Sequence, residues 1–479
     1  MTFPKSIIKL GVLAVLVATV GLGCKGLSGE EQAAVKPVTI NYWTVFDDTD
    51  GLRQLIQKYN AQHPQVKINI RSLRFEEFES ELLNALAEDR GPDIVSLNAE
   101  WLKEYQTKLT SMPAQVSVPR VVYKAAKQDF TGNAVAPEID QIIFETTALY
   151  SPRQVRDLFV STVGEDVIFS DEKGVERVWG VPLSLDTLQL YYNRELLDKA
   201  GIPEPPTTWD EFNAGLKKLR KIDQSTGDIT QAAAGLGRHD NVDRAADIVM
   251  LLMRQNGALV QDESGAPQFD KIPADGVQRD LPPGPEALAF YTDFANSAKN
   301  DVYTWNEKLP SSLDMFSRGN LAYFFGYSYH RQDLLARAPK LDYAITTFPQ
   351  LNATPEYMAN YWVNAVTKKS KNPDVAWHVV QFMSQAKNVE AYLKTAQRPT
   401  ALRSLVKKQF EDEGLVSLRP FVEGALTAKG WYDGLDAKAA ERIILSMIRR
   451  IHENDFTDNR ANVYTVAVRD AVQQLNSTR

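Results

Sequence analysis

The chain has 479 residues, 44% of them hydrophobic and 24% charged, with one cysteine and a formal net charge of -7. That length allows two or three domains with a sizeable core, and an ordinary share of Gly and Pro excludes collagen-like or largely disordered material. An acidic balance without a Lys/Arg-rich block leaves no electrostatic footprint for nucleic acid, and a single cysteine excludes a disulfide framework or a multi-cysteine metal site.

In chain order, Lys5 and Lys9 precede an uncharged apolar run over residues 10–23, which Cys24 follows directly. The run is too short for an ordinary spanning helix but suits a secretory signal peptide. Gly23 before the cysteine, and Lys25, Gly26, Ser28 and Gly29 after it, look like a bacterial lipoprotein processing site followed by a tether. Residues 1–23 are therefore expected to leave, with Cys24 lipidated and residues 24–36 acting as tether. No other segment is long and apolar enough to span a membrane.

Residues 38–46 (VTINYWTVF) alternate and are rich in β-branched and aromatic types, which predicts a strand. Asp47, Asp48 and Thr49 offer N-caps, and Leu52, Leu55, Ile56 and Tyr59 form a helical stripe. Val66, Ile68 and Ile70 alternate as a second strand. Phe75, Phe78, Leu82 and Leu86 mark a second helix that stops near Gly91-Pro92, before a buried-type strand over residues 93–97. A β-α-β-α-β order implies a parallel sheet covered by helices, with ligands held off the carboxyl ends of the strands.

Residues 110–178 show no sustained period and read as an irregular insertion with one or two short helices. An extended segment follows over 179–193, and Thr208-Trp209-Asp210-Glu211 is a capping box that opens a helix to about residue 222. A strand over 232–236, a helix over 242–255, surface turns over 257–284 and a helix over 285–299 come next. A helix end and two strands over 315–348, a Pro-started helix over 373–384 and a mostly helical C-terminal part complete the chain.

Four stretches resemble one family: the extracytoplasmic solute-binding proteins of ATP-binding-cassette importers, in the class containing maltose-binding protein. They are WGVPLSLDTLQLYYNRELLDKAGIPEPPTTWDEF (179–212), the opening strand and helix through Gly91-Pro92-Asp93, FSRGNLAYFFG (316–326), and VTKKSKNPDVAWHVVQFM (366–383). The insertion is longer than usual in the family, and Asn360-Tyr361-Trp362 occupies a stretch often rich in glycine. The resemblance implies an α/β, two-lobed periplasmic-binding-protein fold of the second class, each lobe a mostly parallel sheet flanked by helices. The first lobe would take residues 37–185 and 363–410, and the second 186–362 and 411–479, with hinge crossings near 183–186 and 357–364. It also implies capture of an oligosaccharide or polyol between the lobes, handed to a membrane permease by a monomeric chain without cofactor or catalysis.

A sugar offers C–H ring faces and hydroxyl edges, so its site needs aromatic platforms with carboxylates, amides or Arg at the rim. Trp43, Asp47 and Asp48 stand at the end of the first strand, where core packing and capping compete with a ligand role. Glu100 and Trp101 follow the 93–97 strand and align with a sugar-contacting pair of the family. Asp186 lies in the first crossing among apolar neighbours, where a carboxylate is costly unless hydrogen-bonded. Arg238, Asp240 and Asp243 stand between a strand and a helix, Tyr327 and Tyr329 end a strand, Tyr361 and Trp362 lie in the second crossing, and Trp431 precedes the late helices. Tyr329 is the preferred stacking residue. The same fold could take a polyamine, a phosphorylated polyol or ferric iron, the last on Tyr327 and Tyr329. Gly326-Tyr327-Ser328-Tyr329-His330 resembles a serine-hydrolase elbow, but has His where that turn needs Gly. No short histidine spacing supports a metal site.

Overall fold

A computed structural model describes residue 29 and residues 35–124, 138–144, 146–262, 264–453 and 460–479. The expected signal peptide and Cys24 lie outside the described residues. No helix among those described is long and apolar enough to cross a membrane.

The opening β-α-β-α-β run folds as its pattern dictates. Val38–Thr44 pairs in parallel with Val66–Ser72 on one side and with Ile94–Asn98 on the other. The helix Thr49–Asn60 between the first two strands buries the stripe Leu52, Leu55, Ile56 and Tyr59. Asp48 caps it by accepting the Gly51 N–H at 2.6 Å, and Asp50 near the N-terminus and Lys58 near the C-terminus complement its dipole. In the helix Phe75–Ala87 the stripe holds for Phe78, Leu82 and Leu86. Its first member is a correction: Phe75 stays 41% exposed, turned away from the core. Trp362–Thr367 returns antiparallel against Ile94–Asn98, and Val181–Pro182 closes the sheet on its far side.

The second sheet has five strands in the order Lys221–Ile222, Ile229–Ala234, Leu321–Gly326, Gln189–Asn193, Tyr343–Thr346. Only Ile229–Ala234 and Leu321–Gly326 pair in parallel and the other three pairings are antiparallel, which corrects the expectation of a mostly parallel sheet in this lobe. Its burial is extreme, with all six residues of Leu321–Gly326 buried, as befits a strand covered on both faces. The two sheets are linked by a short antiparallel ladder in which Asp186 pairs with Asn360 and Thr187 with Ala359. Both crossings are thus strands of one ribbon, to which Lys429 adds by accepting the Ala359 N–H at 3.0 Å and donating its own to the Tyr357 carbonyl at 3.1 Å. This is the two-lobed periplasmic-binding-protein architecture.

Several boundaries differ from expectation for local reasons. The capping-box helix spans Trp209–Leu219, because Arg220 turns extended and residues 221–222 join the sheet edge. The next helix begins at Ala245, since Arg244 adopts the left-handed conformation at φ 59°. Pro283–Asp293 stops short because the Phe294 carbonyl accepts the N–H groups of Thr304 and Trp305 at 2.9 and 3.1 Å. The described part of 110–178 is more regular than its sequence suggests. It holds the antiparallel pairs Gln115–Ser117 with Thr146–Ala148, Arg120–Tyr123 with Ile139–Ile143, and Ile168–Ser170 with Glu176–Val178, beside the helices Pro152–Leu158 and Ser161–Val167. Strands of three to five residues are too short to print a period on the sequence.

Candidate functional site

A cavity of about 810 Å³ opens between the sheets, against the crossing ribbon. One wall comes from the carboxyl ends of the three parallel strands: Val45, Phe46 and Asp47 after the first, Leu73 and Phe75 after the second, Glu100 and Trp101 after the third. Helix starts crowd these ends, so the chain exits each strand directly into the cleft. The wall is aromatic. The Trp362 ring lies 5.3 Å from Phe46, 5.6 Å from Trp101 and 6.3 Å from Phe75, in edge-on geometry, and Phe75 stacks on Trp101 at 6.0 Å. Tyr329 of the second lobe stacks on Phe46 at 5.2 Å, so the platform crosses from one lobe to the other.

The opposite wall is ionic. Arg244 donates from Nε at 2.8 Å and from a terminal nitrogen at 2.5 Å to one oxygen of the buried Asp247, which also accepts the Tyr327 hydroxyl at 2.6 Å. The other Asp247 oxygen accepts the Trp431 indole N–H at 3.1 Å. Glu441 stands 4.0 Å from Arg244. Asp243 uses one oxygen to hold the Ser312 hydroxyl at 2.8 Å and the Leu313 N–H at 2.9 Å.

On the crossing, Asp186 is 7% exposed and fully partnered. Its Oδ2 accepts the Ser328 N–H at 2.8 Å and hydroxyl at 2.6 Å, its Oδ1 accepts the Thr187 N–H at 3.0 Å, and Arg398 lies 3.7 Å away. Burial raises its pKa against the pull of Arg398 and these donors. Arg398 also donates to the Phe46 carbonyl at 3.3 Å and lies over the Tyr329 ring at 5.9 Å, touching both lobes and the crossing. Glu100 faces the ionic wall. Burial first, and then the charge of Asp247, push it well above the ordinary carboxylate range. Its carboxylate has no hydrogen bond or ion pair among the described residues, which leaves it open to a ligand.

A profile of the bacterial extracellular solute-binding proteins matches residues 46–390. The chain belongs to this family. A binding protein of Brucella abortus is 21% identical over 211 residues, which are 44% of the chain and 47% of the relative. The chain thus spans about half the length of the curated relatives it matches. Among solved structures, an ABC substrate-binding protein of Listeria monocytogenes in complex with cycloalternan superposes with a TM-score of 0.65 at 15% identity, over 92% of this chain and 99% of the other. The cyclic alpha-maltosyl-1,6-maltose binding protein of Arthrobacter globiformis gives 0.64 at 18% identity, over 91% and 99%. An ABC transporter solute-binding protein of Thermotoga lettingae bound with alpha-D-tagatose gives 0.62 at 16%, over 91% and 100%. At these identities the likeness establishes the fold.

Within this solute-binding protein, Asp47, Glu100, Trp101, Asp186, Asp243, Tyr329, Tyr361, Trp362 and Trp431 all border the cavity. Five expected residues stand elsewhere, and a sixth borders the cavity with its polar atom engaged. Trp43 lies under the Arg71 guanidinium at 4.5 Å within the first sheet, since its strand position alternates away from the cleft end. Asp48 is spent on the helix cap. Arg238 and Asp240 pair with each other at 2.9 Å, away from the cavity, and Arg238 also meets Glu307 at 3.4 Å. Tyr327 is wholly buried and reaches the site only through Asp247. Tyr361 borders the cavity but gives its hydroxyl to Asp166 at 2.6 Å, and burial lifts that acid to about 7.

The residues that sequence reasoning missed are Phe46, Phe75, Arg244, Asp247 and Arg398. Phe46 and Phe75 sit at the margins of a strand and a helix, where the cleft begins, and that marginal position is the signal that could have found them. Arg398 follows the helix Ala386–Ala396 by a left-handed turn at Gln397, φ 51°, and no local pattern announces its reach.

Proposed function

We propose that this solute-binding protein captures a carbohydrate, an oligosaccharide or polyol, in the interlobe cavity and hands it unchanged to an ABC-type import permease. The chain would act as a monomer, tethered by lipid on Cys24 after loss of residues 1–23. The observation that carries this reading is the pairing of an aromatic platform (Phe46, Phe75, Trp101, Trp362, Tyr329) with a rim of carboxylates and arginines. Ring faces suit sugar C–H surfaces, and charged hydrogen-bonding groups suit hydroxyls. The neighbours bound to cycloalternan and tagatose point the same way. Transfer without chemistry is supported by Ser328, whose hydroxyl serves Asp186 and meets no histidine.

A ferric reading loses support because Tyr327 spends its hydroxyl on Asp247, and no group of three or more His, Cys, Asp or Glu suited to a metal occurs among the described residues. A polyamine retains one argument, since acidic side chains outnumber basic ones around the cavity. Calorimetric titration with maltotriose, cycloalternan, tagatose, spermidine and ferric citrate separates these readings. Heat with a saccharide at about micromolar affinity is expected. Binding of spermidine alone would overturn the carbohydrate assignment, and turnover of any saccharide would overturn transfer without chemistry. Cys24→Ala tests the anchor: the precursor should stay unprocessed or leave the membrane fraction.

A further inference from the structure

The turn Gly326-Tyr327-Ser328-Tyr329-His330 carries a hydroxyl and an imidazole that do not meet. Ser328 is engaged by Asp186, which leaves the role of His330 to be explained. His330 opens the helix His330–Arg337 and is 4% exposed, yet it borders the cavity. Its Nδ1 lies 2.9 Å from the Tyr327 backbone N–H, which it accepts, and 3.3 Å from the Tyr327 carbonyl, the longer of the two contacts. A neutral imidazole whose Nδ1 lone pair is so occupied carries its proton on Nε2. No acceptor for that Nε2–H occurs among the described residues. His330 lines the cavity, where the acceptor can come from water or from a ligand.

The ring is held in place. A Cβ built on Gly326 would fall 2.8 Å from Nδ1, so the backbone of the turn closes against that edge of the imidazole. Phe324 meets the ring edge-on at 5.2 Å and Tyr329 covers it at 4.2 Å. A half-turn flip of the ring would put Cδ2 in place of Nδ1 and break the Tyr327 bond. The charged groups acting on the ring are Arg244 from the second-lobe helix start, Arg398 from the late segment and Arg337 from its own helix. With burial as the largest cause, they lower its pKa to about 3. All three arginines oppose a second proton.

We infer that His330 is a ligand-binding residue of this site, a neutral donor fixed in the Nε2–H form that offers its proton to an uncharged oxygen of the bound saccharide. Resting on the carbohydrate reading above, the assignment adds an uncharged donor to the second lobe, beside the carboxylates of Asp243, Asp247 and Glu441. It selects for a hydroxyl or ether oxygen at that place and against a cationic nitrogen, which an N–H donor would repel. It also makes this contact insensitive to pH across the neutral range, unlike a histidine with an ordinary pKa.

The test uses the full chain with 15N-labelled histidine, titrated with maltotriose, cycloalternan and tagatose in turn. Expected are an Nε2–H tautomer for His330 in the free protein, no titration down to pH 5, and a shift at Nε2 when a saccharide binds. His330→Asn retains an acceptor for the Tyr327 N–H but lacks the far donor, whereas His330→Gln can restore one. The Asn variant should bind the saccharide roughly tenfold more weakly with an unchanged melting temperature, and the Gln variant should recover part of the loss. An Nδ1–H tautomer, a His330 pKa near 6.5, or an Asn variant of undiminished affinity would overturn the assignment. A wild-type chain that binds none of the three saccharides would instead remove the carbohydrate reading, and this contact with it.

Discussion

The two walls of the cleft are built by opposite physics. The first-lobe wall is an assembly of rings whose partners are other rings, with Phe75 and Trp362 only partly covered. Their exposed faces have nothing to lose but water. The second-lobe wall is a saturated ionic lattice, in which Asp247 already accepts from Arg244, Tyr327 and Trp431. An aromatic wall keeps its binding capacity in reserve, while an ionic wall spends most of it on holding itself together. Substitutions should therefore separate, with rings mattering more to affinity and lattice charges more to stability.

The largest effect is expected at Asp247. Asp247→Ala leaves the Arg244 guanidinium, the Tyr327 hydroxyl and the Trp431 indole N–H without their acceptor in a buried setting. Breaking one side of such a pair costs about 3 kcal/mol, near the low end because Glu441 stays within reach of Arg244. A fall in the urea midpoint of matching size, without change in m-value, checks it. An unaffected midpoint would show that the lattice is not structural. Trp362→Ala comes next, at about 2 kcal/mol of stability, because the ring is only partly buried. Its effect on saccharide affinity by calorimetry should be at least roughly tenfold. If Trp362→Ala costs more stability than Asp247→Ala while affinity holds, the contrast between the walls is reversed.

The same contrast governs what the sequence reveals. The aromatic wall hangs on the opening β-α-β-α-β run, whose strands and caps are strongly patterned, so their periodicity alone puts Asp47, Glu100 and Trp101 at the carboxyl ends of strands. Trp43 failed by a matter of register, since adjacent strand residues face opposite sides and only the end of the strand opens on the cleft. The ionic wall depends on pairings across long separations. Tyr327 with Asp247 joins residues 80 positions apart, and Trp431 with Asp247 joins residues 184 apart. Periodicity within one helix cannot show which partner its polar residues find. Asp247 sits within the first turn of a nearly all-buried helix, where it reads as an intruder until Arg244 is seen at its start. The crossing ribbon was legible through its resemblance to a family, and Asp186 was legible because a lone acid among leucines needs donors.

A titration sharpens the comparison further. Burial lowers His378, packed against Tyr59 and His63 in the first lobe, to about 4, and lowers His330, on the ionic side, to about 3, both from an unfolded value of 6.5. The folded chain holds both rings neutral, so this stability is complete above pH 6.5 and is lost as pH falls toward those values. Asp166 acts with the opposite sign. Raised from 3.8 to about 7 by burial, it favours the protonated form in the fold, and stability declines as pH rises from about 4 to about 7. Each group can tilt the curve by no more than about 1.4 kcal/mol per pH unit. His378→Gln should flatten the loss of stability on acidification between pH 6.5 and 4, and Asp166→Asn should steepen it. Chemical denaturation at half-unit steps measures both, and identical slopes in the two variants would contradict the burial argument.

The smallest effect belongs where the walls touch. Lys438, at the start of the helix Ala437–Glu453, pairs with Glu79 of the first lobe and lies 4.9 Å over the Trp101 ring, and Lys103 pairs with Asp433 nearby. Lys438 and Glu79 are 33% and 24% exposed in their side chains, and Lys103 and Asp433 29% and 45%, so solvent screens both pairs. Each should contribute less than about 1 kcal/mol to stability. Their placement gives them a different readout. They join a segment tied to the crossing ribbon and the second lobe to the helices under the aromatic wall, and separation of the lobes would stretch them. Lys438→Met keeps much of the packing on Trp101 while removing the charge, so its urea midpoint should stay within about 0.5 kcal/mol of wild type. Saccharide release, followed by stopped-flow tryptophan fluorescence, should quicken by about twofold in low salt. That difference should vanish at high ionic strength, where the wild-type pair is itself screened. A release rate equal in the two proteins at low salt would mean that the walls part without crossing this bridge.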